Sequence, residues 1–171
     1  MELNDAYFYT DTIIDFKQLL HDDNIKFIVI QSLRYLVEQK LIKLFGYVIM
    51  PNHIHLIWTH LARNGKESPA GSFTKFTAHQ IKKYLQQHSP QLLPAYLSGK
   101  SDRQYQFWKA DPLAVSLSTI KILEQKLDYI HTNPVVEKWS LARLPEEYRW
   151  SSARFYLEGT DEFGFLTHYK D

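Results

Sequence analysis

The sequence contains no cysteine. A disulfide framework, a thiolate zinc site and a cysteine nucleophile are therefore excluded. No apolar run approaches the roughly 18 residues that a membrane span requires, so none is expected. The opening residues, Met1-Glu2-Leu3-Asn4-Asp5, lack the basic and apolar regions of a signal peptide. A soluble, cytoplasmic protein is the resulting expectation. There is no internal repeat and no low-complexity tract. Hydrophobic residues make up 44% and charged residues 23% of the 171, near globular averages, which argues against extended disorder. A chain of this length buries about two-thirds of its unfolded surface. It is expected to form one domain over residues 1–171.

Net charge is also scarce, at +1 overall, but it is unevenly distributed. Residues 1–60 hold 5 basic and 7 acidic side chains, residues 61–110 hold 8 and 2, and residues 111–171 hold 7 and 10. The basic middle segment points to a local anionic partner, or to a solvated helix face with spare lysines. Aromatics are abundant, at 15%. Such rings stack on unpaired bases or simply fill a core.

The hydrophobic periods predict the order β-α-β-β-α-β-α. Strands are expected over 6–14, 41–50 and 53–60, with a fourth strand or two short pieces within 105–117. Helices are expected over 23–39, 72–88, 118–133 and 151–157. Ser72 is the expected cap of the second helix, with Phe73, Phe76, Ile81, Tyr84 and Leu85 facing inward. Only Pro51 and Asn52 separate the second and third strands, the spacing of a tight antiparallel hairpin. This order is the α+β, ferredoxin-like split βαβ pattern, an antiparallel sheet with helices covering one face.

Two places in the chain carry candidate chemistry. On a strand, His53 and His55 point to one side and Ile54 to the other. Two imidazoles so placed suit a shared divalent metal, and equally suit two hydrogen-bonded strand histidines. On the helix before Pro134, Ile120, Leu123, Leu127 and Ile130 fall within about 80° of one another and form the inward stripe. Tyr129 lies roughly 140° from its centre, on the polar face with Gln125, Lys126 and Asn133. A tyrosine there either packs on a neighbouring element or presents its hydroxyl as a nucleophile. No clear protein base for its proton stands out. Lys75, Lys82, Lys83, Arg103 and Lys109 are the candidate phosphate contacts of the basic segment.

At these residues the sequence resembles a known family. VIMPNHIHLIW, residues 48–58, looks like the HUH segment of single-tyrosine, single-strand DNA transposases. LDYIHTNPVVEKW, residues 127–139, followed by YRWSSARFY, residues 148–156, resembles the C-terminal signature of the REP-associated tyrosine transposases. The resemblance implies an HUH nuclease fold with a catalytic C-terminal helix. It implies that His53 and His55 bind Mg²⁺ or Mn²⁺, that Asn133 stands where relatives use a polar third ligand, and that Tyr129 becomes linked to a DNA 5′-phosphate. It further implies single-stranded or hairpin DNA as substrate, a homodimer, and no nucleotide cofactor. Two rival readings are a non-catalytic, domesticated hairpin-binding protein and a metal-dependent phosphodiesterase that uses water and leaves Tyr129 structural.

Overall fold

The computed structural model describes residues 1–171. Four strands, β1 (Ala6–Thr12), β2 (Ile42–Ile49), β3 (His53–His60) and β4 (Leu113–Ser116), form one sheet in the order β2-β3-β1-β4. All neighbouring pairs are antiparallel. Helix α1 (Asp23–Glu38) connects β1 to β2, and α2 (Pro69–His88) lies between β3 and β4. β3 is thus inserted between β1 and β2, and β1 between β3 and β4, which is the split βαβ topology. Helices α3 (Ile120–Thr132) and α4 (Ala153–Glu158) follow.

The β2–β3 hairpin forms because both strands are β-branched and aromatic and the turn between them is short. The Met50 N–H donates to the His53 carbonyl at 2.8 Å and closes it. α1 begins where Asp22 accepts from the Asn24 N–H and buries Ile25, Ile28, Val29, Leu33 and Leu36. Beneath it, Trp58 packs on Tyr9 and Phe73, and Phe73 on Trp108, so α2 shares this face of the sheet.

Three expectations need correction. α2 starts at Pro69, not at Ser72, because Ser68 accepts from the Gly71 N–H and proline suits the first helical position. Phe76 on that helix is 41% exposed, beside Ser32, Tyr35, Asn64 and Ser72 and outside the core. Of residues 105–117 only Leu113–Ser116 is a strand. Phe107 and Trp108 are buried by ring packing on Tyr96 and Phe73, with Trp108 making a lone bridge to Ile13. The two helices of the split βαβ unit, α1 and α2, cover one face as expected, and the added C-terminal helix α3 lies on the other. Leu123, Leu127 and Ile130 are buried there, while Ile120, at the free end, is 63% exposed.

Gly46 permits this second layer. It sits at a register shift in β2, opposite Ile57. A Cβ there would stand 2.6 Å from Leu127 Cδ2, 3.2 Å from Ile130 Cδ1 and 3.3 Å from Ser152 Oγ. The outer edge of β2 is covered by the C-terminal segment, through bridges from Val48 to Ser151 and from Leu44 to Leu166. Gly159, with φ of 72°, ends α4 in the left-handed conformation that glycine adopts without cost.

Candidate active site

β3 is an interior strand, and its alternation sends His53, His55 and Ile57 toward α3 while Ile54, Leu56 and Trp58 face α1 and α2. His55 is a buried residue. It is only 5% exposed, stacked on Phe8 with ring centroids 5.1 Å apart and flanked by Tyr129 at 5.4 Å. His53 lies 4.7 Å from His55 between centroids and is half-buried against Trp139 at 5.8 Å.

The strand register orients the His55 ring, and the turn before β3 orients that of His53. Thr10 of β1 stands directly opposite His55, and its Oγ1 is 2.7 Å from His55 Nδ1. Asn52 Oδ1 lies 2.6 Å from His53 Nδ1 and accepts its N–H. Each Nδ1 is thereby engaged. His55 Nε2 is buried with no partner at all. A buried ring nitrogen left unpaired costs free energy unless something outside the chain satisfies it. Burial depresses the pKa of His55 to about 3, helped by its neighbour His53 and then by the Lys126 ammonium. Burial likewise takes His53 to about 4, with Lys138 adding to the effect. At neutral pH both rings are uncharged and carry a lone pair.

Tyr129 is 49% exposed on α3, and its ring meets both His55 and, at 6.1 Å, Phe8. The sequence-level placement of this tyrosine off its helix's apolar stripe therefore holds, and the element it packs on is the histidine pair itself. Asn133 follows in a short 3₁₀ turn, Asn133–Val135, that Pro134 imposes. It is buried, its backbone N–H donates to the Tyr129 carbonyl, and its side chain makes no hydrogen bond within the chain. No third histidine and no carboxylate joins the pair in a metal-binding group. A divalent cation on these neutral donors would keep positions open for water and for an anionic ligand, which suits a catalytic rather than a closed structural site. The unpartnered His55 Nε2 and the aimed imidazoles fit such an ion.

The candidate phosphate contacts of residues 61–110 lie elsewhere. Lys75, Arg103 and Lys109 line an open cleft of about 730 Å³ on the α2 side of the sheet, together with Tyr9, Tyr105, Phe107 and Trp108. Lys75 pairs with Glu67 and Arg103 with Asp102. Lys82 lies over Tyr105, Lys109 over Phe16, and Lys83 is exposed. The cations beside the histidines come instead from the net-acidic last third: Lys126 and Lys138. Thr10, Asn52, Phe8 and Trp139 also belong to the site. Nothing in a one-dimensional reading pairs Thr10 with His55, because that contact depends on the β1–β3 register.

No protein-family model and no curated protein matches the sequence. Among solved structures, a REP-associated tyrosine transposase bound to a REP hairpin superposes on 99% of this chain and 90% of its own, with a TM-score of 0.60 and 17% identity. The chain has the fold of that transposase. A putative transposase from Deinococcus radiodurans R1 covers 74% of this chain and 88% of its own at 17% identity. Its TM-score of 0.44 is too low to build on. On this transposase fold the histidine pair occupies an interior strand, and the tyrosine helix closes over the same face. No helix is long and apolar enough to cross a membrane.

Proposed function

We propose that the chain is a metal-dependent enzyme that nicks and rejoins single-stranded DNA through Tyr129. The observation that carries this reading is the packing of an exposed helix tyrosine, 5.4 Å between ring centroids, on a buried histidine whose Nε2 has no partner in the chain. In the forward reaction the Tyr129 oxygen forms a bond to phosphorus and the bond from phosphorus to the 3′-oxygen breaks. The phenolic proton leaves to solvent, and the departing 3′-oxygen takes up a proton. The product is a 5′-phosphotyrosine and a free 3′-hydroxyl. In rejoining, a 3′-hydroxyl attacks that phosphorus and tyrosine departs. One phosphodiester is exchanged for another of similar energy, so no nucleotide cofactor is required.

His53 and His55, with the Asn133 amide oxygen as third donor, would hold Mg²⁺ or Mn²⁺. Such an ion supplies Lewis-acid polarisation of a phosphate oxygen. Thr10 and Asn52 keep the two rings in the required orientation, and burial keeps them neutral. The basic cleft of Lys75, Arg103 and Lys109 would hold flanking phosphates. The hairpin bound by the structurally similar transposase supports hairpin-forming single strands as the substrate class. The Tyr129–His55 contact lies within one chain, which favours a site built by a single subunit even if the protein is the homodimer that the resemblance implies.

The test is incubation of the full chain with single-stranded DNA from the sequence flanking its own gene, with Mg²⁺ or Mn²⁺. A covalent protein–DNA adduct that maps to Tyr129 by mass spectrometry, and that disappears with Tyr129→Phe or with chelator, is the expected result. Cleavage without an adduct assigns the attack to water. Hairpin binding without cleavage makes the chain a binding protein.

A further inference from the structure

Two lysines bracket the histidine pair. Lys126 Nζ lies 4.6 Å from the centroid of Phe8 and 5.7 Å from that of Tyr129, two rings that pack on His55 and on each other. Lys138 Nζ lies 5.4 Å from the centroid of Trp139, the ring beside His53. Neither ammonium is within ion-pair distance of a carboxylate or donates a hydrogen bond. Yet acidic side chains are in excess in this part of the sequence. Glu124 is taken by the Tyr169 hydroxyl, well away from the site. Cation–π contact is the one interaction that holds the two lysines, and it leaves their donors free.

A cluster of five rings, Phe8, Tyr129, His55, His53 and Trp139, with one cation on its His55 side and another on its His53 side, has a polarity that bare histidines lack. Lys126 is three residues before Tyr129, so the two side chains rise from the same face of α3. A group that the tyrosine oxygen touches is within reach of the Lys126 ammonium. Lys138 stands at the opposite end, on the segment after α3. Phosphodiester oxygens are the anions that two such unpaired cations suit, because the negative charge of a DNA strand recurs along its length.

We propose that Lys126 and Lys138 form a phosphate clamp across the histidine pair, Lys126 on the phosphate next to Tyr129 and Lys138 on a neighbouring phosphate of the same strand. This rests on the reading of the site as a DNA-processing centre and adds two specific residues to it. As phosphorus gains its fifth bond, negative charge builds on its non-bridging oxygens, and an ammonium already aimed there stabilises it.

Binding measured without metal separates the clamp from catalysis. Fluorescence anisotropy with a labelled single-stranded oligonucleotide from the flanking DNA, in EDTA and across about 50–200 mM salt, gives the slope of log affinity against log salt. Lys126→Met keeps the apolar stem over Phe8 and removes the charge. It should lower that slope by about 0.7, and the Lys126→Met/Lys138→Met pair by about 1.4, the values for one and two lost contacts to a single strand. Lys126→Arg should keep the slope, and Lys170→Met, a charge loss on the C-terminal segment, should leave it unchanged. Single-turnover adduct formation should fall on the order of a hundredfold in Lys126→Met. An unchanged slope in the double variant, or an equal loss in Lys170→Met, overturns the clamp. Absence of any adduct in the wild type defeats the catalytic reading instead, while the slopes still report on the lysines.

Discussion

The attachment of α3 to the sheet can be tested at one atom. Gly46 has ordinary backbone angles, so Gly46→Ala carries no conformational strain. Its cost comes from the new methyl, which meets Leu127 Cδ2 at 2.6 Å. Leu127 is 4% exposed and Ile130 fully buried, so neither can swing into solvent. Overpacking of this kind costs about 1–3 kcal/mol. The stiffer unfolded chain returns about 0.4–1 kcal/mol, which leaves a net loss centred on about 1.3 kcal/mol. Leu127→Ala alone opens a cavity and costs about 2–5 kcal/mol. In the double variant the alanine methyl at 46 occupies space that Leu127 vacates. The two losses should therefore fall short of additive by more than about 0.5 kcal/mol. Urea unfolding of the four proteins measures this directly. Leu127 is two residues from Tyr129, so Gly46→Ala should also move the tyrosine against His55. A misplacement near 1 Å costs on the order of a hundredfold in rate, and the double variant should recover part of it. Additivity within about 0.3 kcal/mol, or a Gly46→Ala protein with wild-type stability, would refute the claim that this glycine sets the height of α3.

Four further outcomes are expected. Asp11 is buried between Tyr9, Thr74 and the Thr12 N–H, and burial raises its pKa to about 6. Because the folded value is raised, its contribution is full below about pH 4 and is lost as pH rises through 6; thermal unfolding across pH 4–7 should show Asp11→Asn relieved of a penalty of at most about 3 kcal/mol at neutral pH. His60 is buried on the other face with Nε2 unpartnered beside Trp58, and burial lowers it to about 4. Its contribution is present above about pH 6.5 and is lost as pH falls toward 4, so His60→Phe should lose less melting temperature than wild type between pH 7 and 5. Thr10→Val keeps the shape opposite His55 but removes the Nδ1 partner; Mn²⁺ affinity by calorimetry should drop about 10–100-fold, and an unchanged affinity would show that Thr10 does not orient the ring. Because Tyr129 packs on the histidine of its own chain, mixing Tyr129→Phe with His55→Ala should restore no adduct, whereas recovery would place the tyrosine of one subunit in the site of another.

Much of this molecule is legible from local chemistry. The β2–β3 hairpin, the Asp22 cap of α1 and the Thr119 cap of α3 depend on neighbours in sequence, and they stand where the residues put them. So does the shared face of His53 and His55. The start of α2 was legible too, since Ser68-Pro69 is a cap followed by the residue that best tolerates the first helical position. Other features depend on partners far along the chain. Phe107 and Trp108 look like strand residues, but ring contacts with Tyr96 and Phe73 bury them without a ladder. The placement of α3 on the opposite face follows from the bare surface at Gly46, which a pattern of apolar residues does not display. The burial of His55 follows from Phe8 and Tyr129 closing on it from two separate elements.

Charge is where the linear reading and the folded one part most clearly. The segment with the largest basic excess, residues 61–110, supplies the walls of a cleft behind the sheet. The most acidic segment supplies the two ammonium groups nearest the histidines. An average over fifty residues reports the field felt at a distance, within about a Debye length of the surface. Chemistry at phosphorus depends on one or two charges within a few ångströms in a partly desolvated place, where each counts for more. The cleft and the lysine pair can therefore serve one DNA strand in different ways. On the proposed reading the cleft would add affinity that salt removes, without touching the reacting atoms. Lys126 stands next to Tyr129, the proposed nucleophile, so its loss should show in the rate of attachment even under salt conditions where binding has been matched.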